Sequence, residues 1–104
     1  MTVYNKLVRD KIPQIIEEDG RSTEIWVLSE EEYRLHLERK LDEEVGEYHR
    51  DKTPEELADI LEVVYALATT IGCPREQLMD IYQKKHDARG GFEKRCFLVS
   101  AEEM

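Results

Sequence analysis

Residues that interrupt regular structure are scarce in this chain, with three prolines and five glycines in 104 positions. That scarcity excludes collagen-like and low-complexity architectures, whose backbones depend on those residues. Cysteine is scarce too. Cys73 and Cys96 show no C-x-x-C spacing and no nearby histidine pattern, so they are expected to be reduced, structural thiols of a cytosolic protein. No stretch approaches the ~18 apolar residues that a membrane span needs, and the N-terminus has no apolar signal core. A cytoplasmic location without a membrane partner is the expectation. Positive charge is the minority sign, 15 basic residues against 24 acidic ones, for a net charge of −9. Such a surface repels polyanionic backbones, so nucleic acid is not an expected partner. A small anionic substrate is compatible with it where a metal ion and a few local cations offset the field.

What is present points to helices. Hydrophobic residues make up 40% and charged residues 38% of the chain, and no repeat or linker divides it, so residues 1–104 are expected to form one helix-rich domain. Ser29-Glu30-Glu31-Glu32 is a capping-box sequence. Tyr33, Leu37, Leu41, Val45 and Tyr48 then recur at helical steps towards a stop near Asp51. Thr53 and Pro54 supply an N-cap and a first helical residue for the next helix. Leu57, Ile60, Leu61, Val64, Leu67, Ala68 and Ile71 form its main apolar stripe, and Val63, Tyr65 and Ala66 widen it. Gly72 stops that helix. Pro74 opens another, which ends at Gly90-Gly91, and a shorter helix is expected from Lys11 to Glu18. Two β-rich runs, Thr23 to Leu28 and Arg95 to Val99, predict a short two-stranded element. The expected fold is therefore mainly all-α, an antiparallel helical hairpin core of the four-helix-bundle type with that small β addition. One partner helix cannot cover the wide apolar face of residues 57 to 71, so a homodimer or larger homo-oligomer is expected, completing a bundle between chains.

The acidic residues are arranged with a pattern. Glu44 and Glu47 are three apart on one helix, and Glu56 and Asp59 three apart on the next, so each pair shares a face. The connection is short, which makes the helices antiparallel neighbours, and counting ~1.5 Å per residue from the turn puts the pairs at matching heights. Four carboxylates at close range raise one another's pKa, and a divalent cation relieves that repulsion. All-oxygen ligation suits Mg²⁺ or Mn²⁺. Asp59 stands out because it lies within LADILEVVYALA, where an unpaired carboxylate is costly to bury. Plain structural roles compete with this reading. Glu56 is the third-position partner of the Thr53 cap, and Lys40 is an i,i+4 partner for Glu44 on a solvated face.

With those residues identified, the chain resembles the MazG-like all-α nucleotide pyrophosphohydrolases, and within them a small phosphoribosyl-ATP pyrophosphohydrolase-like subgroup. The E-E-x-x-E and E-x-x-D motifs of that superfamily read here as EEVGE (Glu43, Glu44, Glu47) and ELAD (Glu56, Asp59). The opening YNKLVRDKIP, the central LADILEVVYALA and the closing ARGGFEKR extend the resemblance over nearly the whole chain. It implies cleavage of a nucleoside triphosphate between the α- and β-phosphates, giving a nucleoside monophosphate and pyrophosphate, with house-cleaning of non-standard nucleotides as one setting. By the same resemblance Glu44, Glu47, Glu56 and Asp59 would hold the metal, and Glu43 would orient or deprotonate the attacking water. Two features depart from the common pattern: the spacer between the motifs is shorter, and Gly46 lies inside the motif helix.

Lys85 and Arg89, four apart near the end of the last long helix, are candidates for gripping phosphate, as are Lys6 and Arg9 in the N-terminal block. Trp26, Tyr82 and Phe92 could stack on a base but read first as core. None of His36, His49 and His86 follows a glutamate by three residues, so the di-iron signature Glu-x-x-His is absent. Two other functions fit the same residues: hydrolysis of phosphoribosyl-ATP, and a catalytically silent helical interaction module whose acids serve solubility.

Overall fold

The computed structural model describes residues 1–103, and the described residues form four α-helices and no strand. These are α1 (Ile12–Glu18), α2 (Glu30–Asp51), α3 (Pro54–Thr70) and α4 (Arg75–Arg89). The all-α expectation holds, and each expected helix is present. The first is one residue shorter than expected at its start, where Lys11 serves as the N-cap.

Local chemistry explains the boundaries of the central hairpin. At the start of α2 the Glu32 N–H donates to Ser29 Oγ at 3.2 Å, and the Ser29 N–H donates back to the Glu32 carboxylate at 3.4 Å. Both halves of the capping box are therefore made. At its other end Lys52 takes a left-handed conformation, φ 51°, while its N–H donates to the Tyr48 carbonyl. Thr53 is already extended and caps α3 by accepting from the Glu56 N–H at 3.4 Å. Only Lys52 and Thr53 separate the two helices. A joint of that length folds α3 back along α2, and their contact buries Leu37, Val63 and Ala68.

α3 ends where Gly72 adopts φ +79°, a conformation that a residue with a Cβ rarely takes, and the Cys73 N–H folds back to the Ala68 carbonyl. Across residues 71–74 the chain turns through 108°, and α4 packs against α3 alone. One chain thus contributes a two-helix hairpin and a helix projecting from it. No single helix among the described residues is long and apolar enough to cross a membrane.

The paired β-runs are a correction. Residues 23–28 and 95–99 contain no strand and do not pair. Arg95 opens the second run with φ 56° and a turn bond to the Phe92 carbonyl, and two short isolated strands lack the third neighbour that makes such a ribbon stable.

The hairpin leaves much apolar surface uncovered. The radius of gyration is 18.5 Å, against about 13 Å for a compact domain of this length. Accessible surface is 9842 Å², where a folded monomer of 12.3 kDa would expose about 6,100 Å². Leu57 and Leu61 are half exposed on α3, and Phe92, Phe97 and Val99 are almost fully exposed.

A Cβ placed on Gly46 meets no atom within 4 Å, and the residue is exposed in mid-helix. Gly46→Ala should therefore stabilise the fold by about 1 kcal/mol, raising the midpoint of a circular-dichroism melt by roughly 4–8 °C. A lowered midpoint would mean that another chain covers this position.

Candidate metal centre

The hairpin brings the acidic motif residues together. Carboxylate oxygens of Glu43, Glu44 and Glu47 lie within 4.8 Å of one another, and so do those of Glu44, Glu56 and Asp59. Glu44 belongs to both sets. It is also the one buried charged residue among those described, 7% exposed. Its burial follows from position: steps of four, three and four from Leu37 through Leu41 and Glu44 to Tyr48 place it on the apolar stripe of α2.

Three cations approach these acids. Lys40 Nζ is 3.4 Å from both Glu43 and Glu44 Oε1, and the lysine is itself largely buried. Lys6 Nζ lies 3.9 Å from Glu43, and Arg9 reaches Asp59 at 3.4 Å and Glu62 at 3.8 Å. Negative charge still dominates. Glu44 Oε2 and Glu56 Oε2 are buried and accept no hydrogen bond, which costs free energy unless a proton or a cation partners each of them.

The protonation equilibria reflect this. Burial pushes the Glu44 carboxyl above its ordinary range, the neighbouring Glu47 adds to the rise, and Lys40 opposes it. Glu56 is likewise raised, by desolvation first and then by repulsion from Glu47, Asp51 and Asp59. The remaining half of the Thr53 capping box, in which the Thr53 N–H would donate to the Glu56 carboxylate, is not made. Glu56 is therefore free of the structural task that the sequence offers it, and its side chain faces the other acids.

One expectation is corrected here. Asp59 is not an isolated carboxylate in an apolar helix: its side chain is 40% exposed and paired to Arg9, fifty residues away in sequence and invisible to helical spacing. The buried acid is Glu44. Sequence reasoning also missed Glu62, one turn beyond Asp59, which shares the Arg9 guanidinium. In contrast, the Lys40 to Glu44 pair expected from i,i+4 spacing is present.

Lys6 and Arg9 are brought to the rim of the acidic cluster, whereas Lys85 and Arg89 are not. From Asp59 to the end of α3 is about 16 Å along the helix axis, and α4 then leaves at 108° without touching α2. Lys85 and Arg89 line a separate shallow hollow of about 360 Å³ with Tyr82, His86 and Phe92. The stacked Tyr82 and His86 rings lie 6.0 Å apart there. Trp26, Tyr82 and Phe92 are 79%, 59% and 97% exposed, so none of the three is core.

The donor set suits a hard divalent cation: all oxygen, negative in excess, with unpartnered buried oxygens on two helices. A raised carboxyl pKa contributes stability that is present below the unfolded value, near 4.5, and is lost as pH rises through the higher folded value. Without divalent cations the chain should thus melt at a higher temperature near pH 5 than near pH 7.5. Glu44→Gln should flatten that slope; a slope unchanged by the substitution would remove Glu44 as its source.

No model of a known protein family matches the chain, and no solved structure matches it. The chain is similar to a protein of Mycolicibacterium smegmatis described as uncharacterized, with 52% identity over 42 residues. Those residues are 40% of this chain and 43% of that protein, so the match spans less than half the length of either.

Proposed function

We propose that the chain is a divalent-metal-dependent hydrolase of nucleoside triphosphates, cleaving between the α- and β-phosphates. The observation that carries this reading is the buried Glu44 carboxylate, which belongs to both carboxylate triads and leaves its Oε2 without a partner. Glu44, Glu47, Glu56 and Asp59 would hold Mg²⁺, or Mn²⁺ in its place. When bound, the ion would neutralise phosphate charge and acidify a ligated water. The resemblance of EEVGE and ELAD to the MazG-like motifs supports the same reaction.

The chain's own residues have distinct parts in it. Glu43 is 37% exposed at the edge of the cluster, where solvent reaches it. It would orient a water and take its proton as the water oxygen bonds to the α-phosphorus and the bond to the bridging oxygen breaks. The products are a nucleoside monophosphate and pyrophosphate. Lys40, held 3.4 Å from Glu43 and Glu44, keeps both carboxylates in place. Lys6 and Arg9 supply positive charge on the side from which phosphates would approach.

The excess surface supports self-association into a homodimer or larger assembly. Each chain exposes about 3,700 Å² beyond the monomer expectation, more than one partner's half of an obligate interface of about 2,000–5,000 Å² in total. Because Lys85 and Arg89 lie far from their own chain's carboxylates, a role for them in gripping phosphate requires a neighbouring copy.

Pyrophosphate release from a panel of nucleoside triphosphates and phosphoribosyl-ATP, with and without Mg²⁺, tests the activity. Glu44→Gln and Asp59→Asn should each lower it at least about 100-fold, the upper end of what outer-shell changes at metal sites cost. Activity that survives both substitutions sinks the site, and a wild type inactive on every nucleotide favours the interaction-module reading. Light scattering at micromolar concentration should report a dimer or more; a monomer overturns the assembly.

A further inference from the structure

We infer that Arg9 is an exchangeable counter-ion, which neutralises Asp59 while the carboxylate site lacks its metal and turns to a substrate phosphate once the metal is bound. The inference rests on the metal-site reading above and adds to it a coupling between the two ligands.

Arg9 lies in the segment that precedes α1, outside any helix, and its side chain is 62% exposed. Its guanidinium nonetheless spans two acids one turn apart on α3, with Nη1 3.4 Å from Asp59 Oδ1 and Nη2 3.8 Å from Glu62 Oε1. Both separations exceed the ~2.7–2.9 Å of a strong charge-assisted hydrogen bond. An exposed pair of that length is a weak restraint and exchanges readily. Three residues earlier in the same segment, Lys6 Nζ lies 3.9 Å from Glu43. The segment thus runs along the rim of the cluster, with a cation over each helix.

Asp59 is claimed twice. Its carboxylate pairs with Arg9, and it also lies within 4.8 Å of Glu44 and Glu56, in the triad with the two buried, unpartnered oxygens. A divalent ion held by that triad would repel the guanidinium and weaken Asp59 as its partner. The freed guanidinium presents a planar fork of N–H donors that matches phosphate oxygens. A metal-bound phosphate would sit beside it.

Two effects of opposite sign follow. With metal alone, Arg9 competes for Asp59 and lowers affinity. With metal and phosphate together, Arg9 joins them, so each ligand strengthens the other by the same factor. A residue with a merely structural role would produce neither the first effect nor the sign change.

The test is Mn²⁺ affinity at fixed pH for the full chain, read by the electron paramagnetic resonance of free Mn²⁺. It is repeated with and without inorganic phosphate, a weak chelator, for wild type, Arg9→Gln and Arg9→Lys. Arg9→Gln should bind Mn²⁺ alone several-fold more tightly than wild type. Phosphate should tighten Mn²⁺ binding by about 5-fold or more in wild type, and by less than about half that factor in Arg9→Gln. Arg9→Lys, which keeps charge and loses the fork, should lie between them. If Arg9→Gln binds Mn²⁺ no more tightly than wild type, or keeps the full gain from phosphate, the exchange is overturned while the metal site stands. Absence of Mn²⁺ binding by every protein, wild type included, overturns the metal reading and the exchange with it.

Discussion

The two-residue joint between α2 and α3 sets the register on which the rest of the structure depends. Lys52 in a left-handed conformation and Thr53 in an extended one reverse the chain within the shortest span that two capped helices allow. Any lengthening would let α3 slide or rotate against α2. At the observed register, the second turn of α3 lies beside the stretch of α2 that carries Glu44 and Glu47. Glu56 and Asp59 thereby come within a few ångströms of a glutamate twelve or more residues earlier in the chain.

That register places a carboxylate where an apolar residue would serve stability better. Glu44 continues the stripe of Leu37 and Leu41, yet carries a charge that burial opposes. Lys40 satisfies one of its oxygens and leaves the other without a partner. A leucine at position 44 would remove both the desolvation cost and the unpaired acceptor. A buried, incompletely paired carboxylate inside an otherwise consistent helix pair is the kind of local conflict expected where function overrides stability, and it motivates the reading of this cluster as a metal centre.

The hairpin is incomplete as a core. Leu37, Val63 and Ala68 are the buried apolar residues among those described, too few to stabilise a domain of about a hundred residues without further burial. The half-exposed leucines of α3, the aromatic end of α4 and the apolar residues that follow it add to this uncovered surface.

The sequence by itself determined the helices, their caps and the pairing of the acidic motifs, because these depend on contacts within about four residues or across one short turn. Ser29 with Glu32, Thr53 with Pro54, and Gly72 are local signals and act where they stand. Lys40 beside Glu44 was legible for the same reason. Burial and long-range partners were decided only by the tertiary structure. The apolar run around it pointed to Asp59 as the costly acid, but α3 turns it to the rim, where Arg9 meets it. Glu44 is the acid enclosed by the packing of the two helices. The β-rich runs failed as strands because propensity supplies no partner for a backbone ladder. Lys85 and Arg89 failed to join the acids because the bend across residues 71–74 directs α4 away from them. A residue's neighbours along a helix are fixed by the backbone repeat, whereas its neighbours across the fold depend on how the helices are aimed.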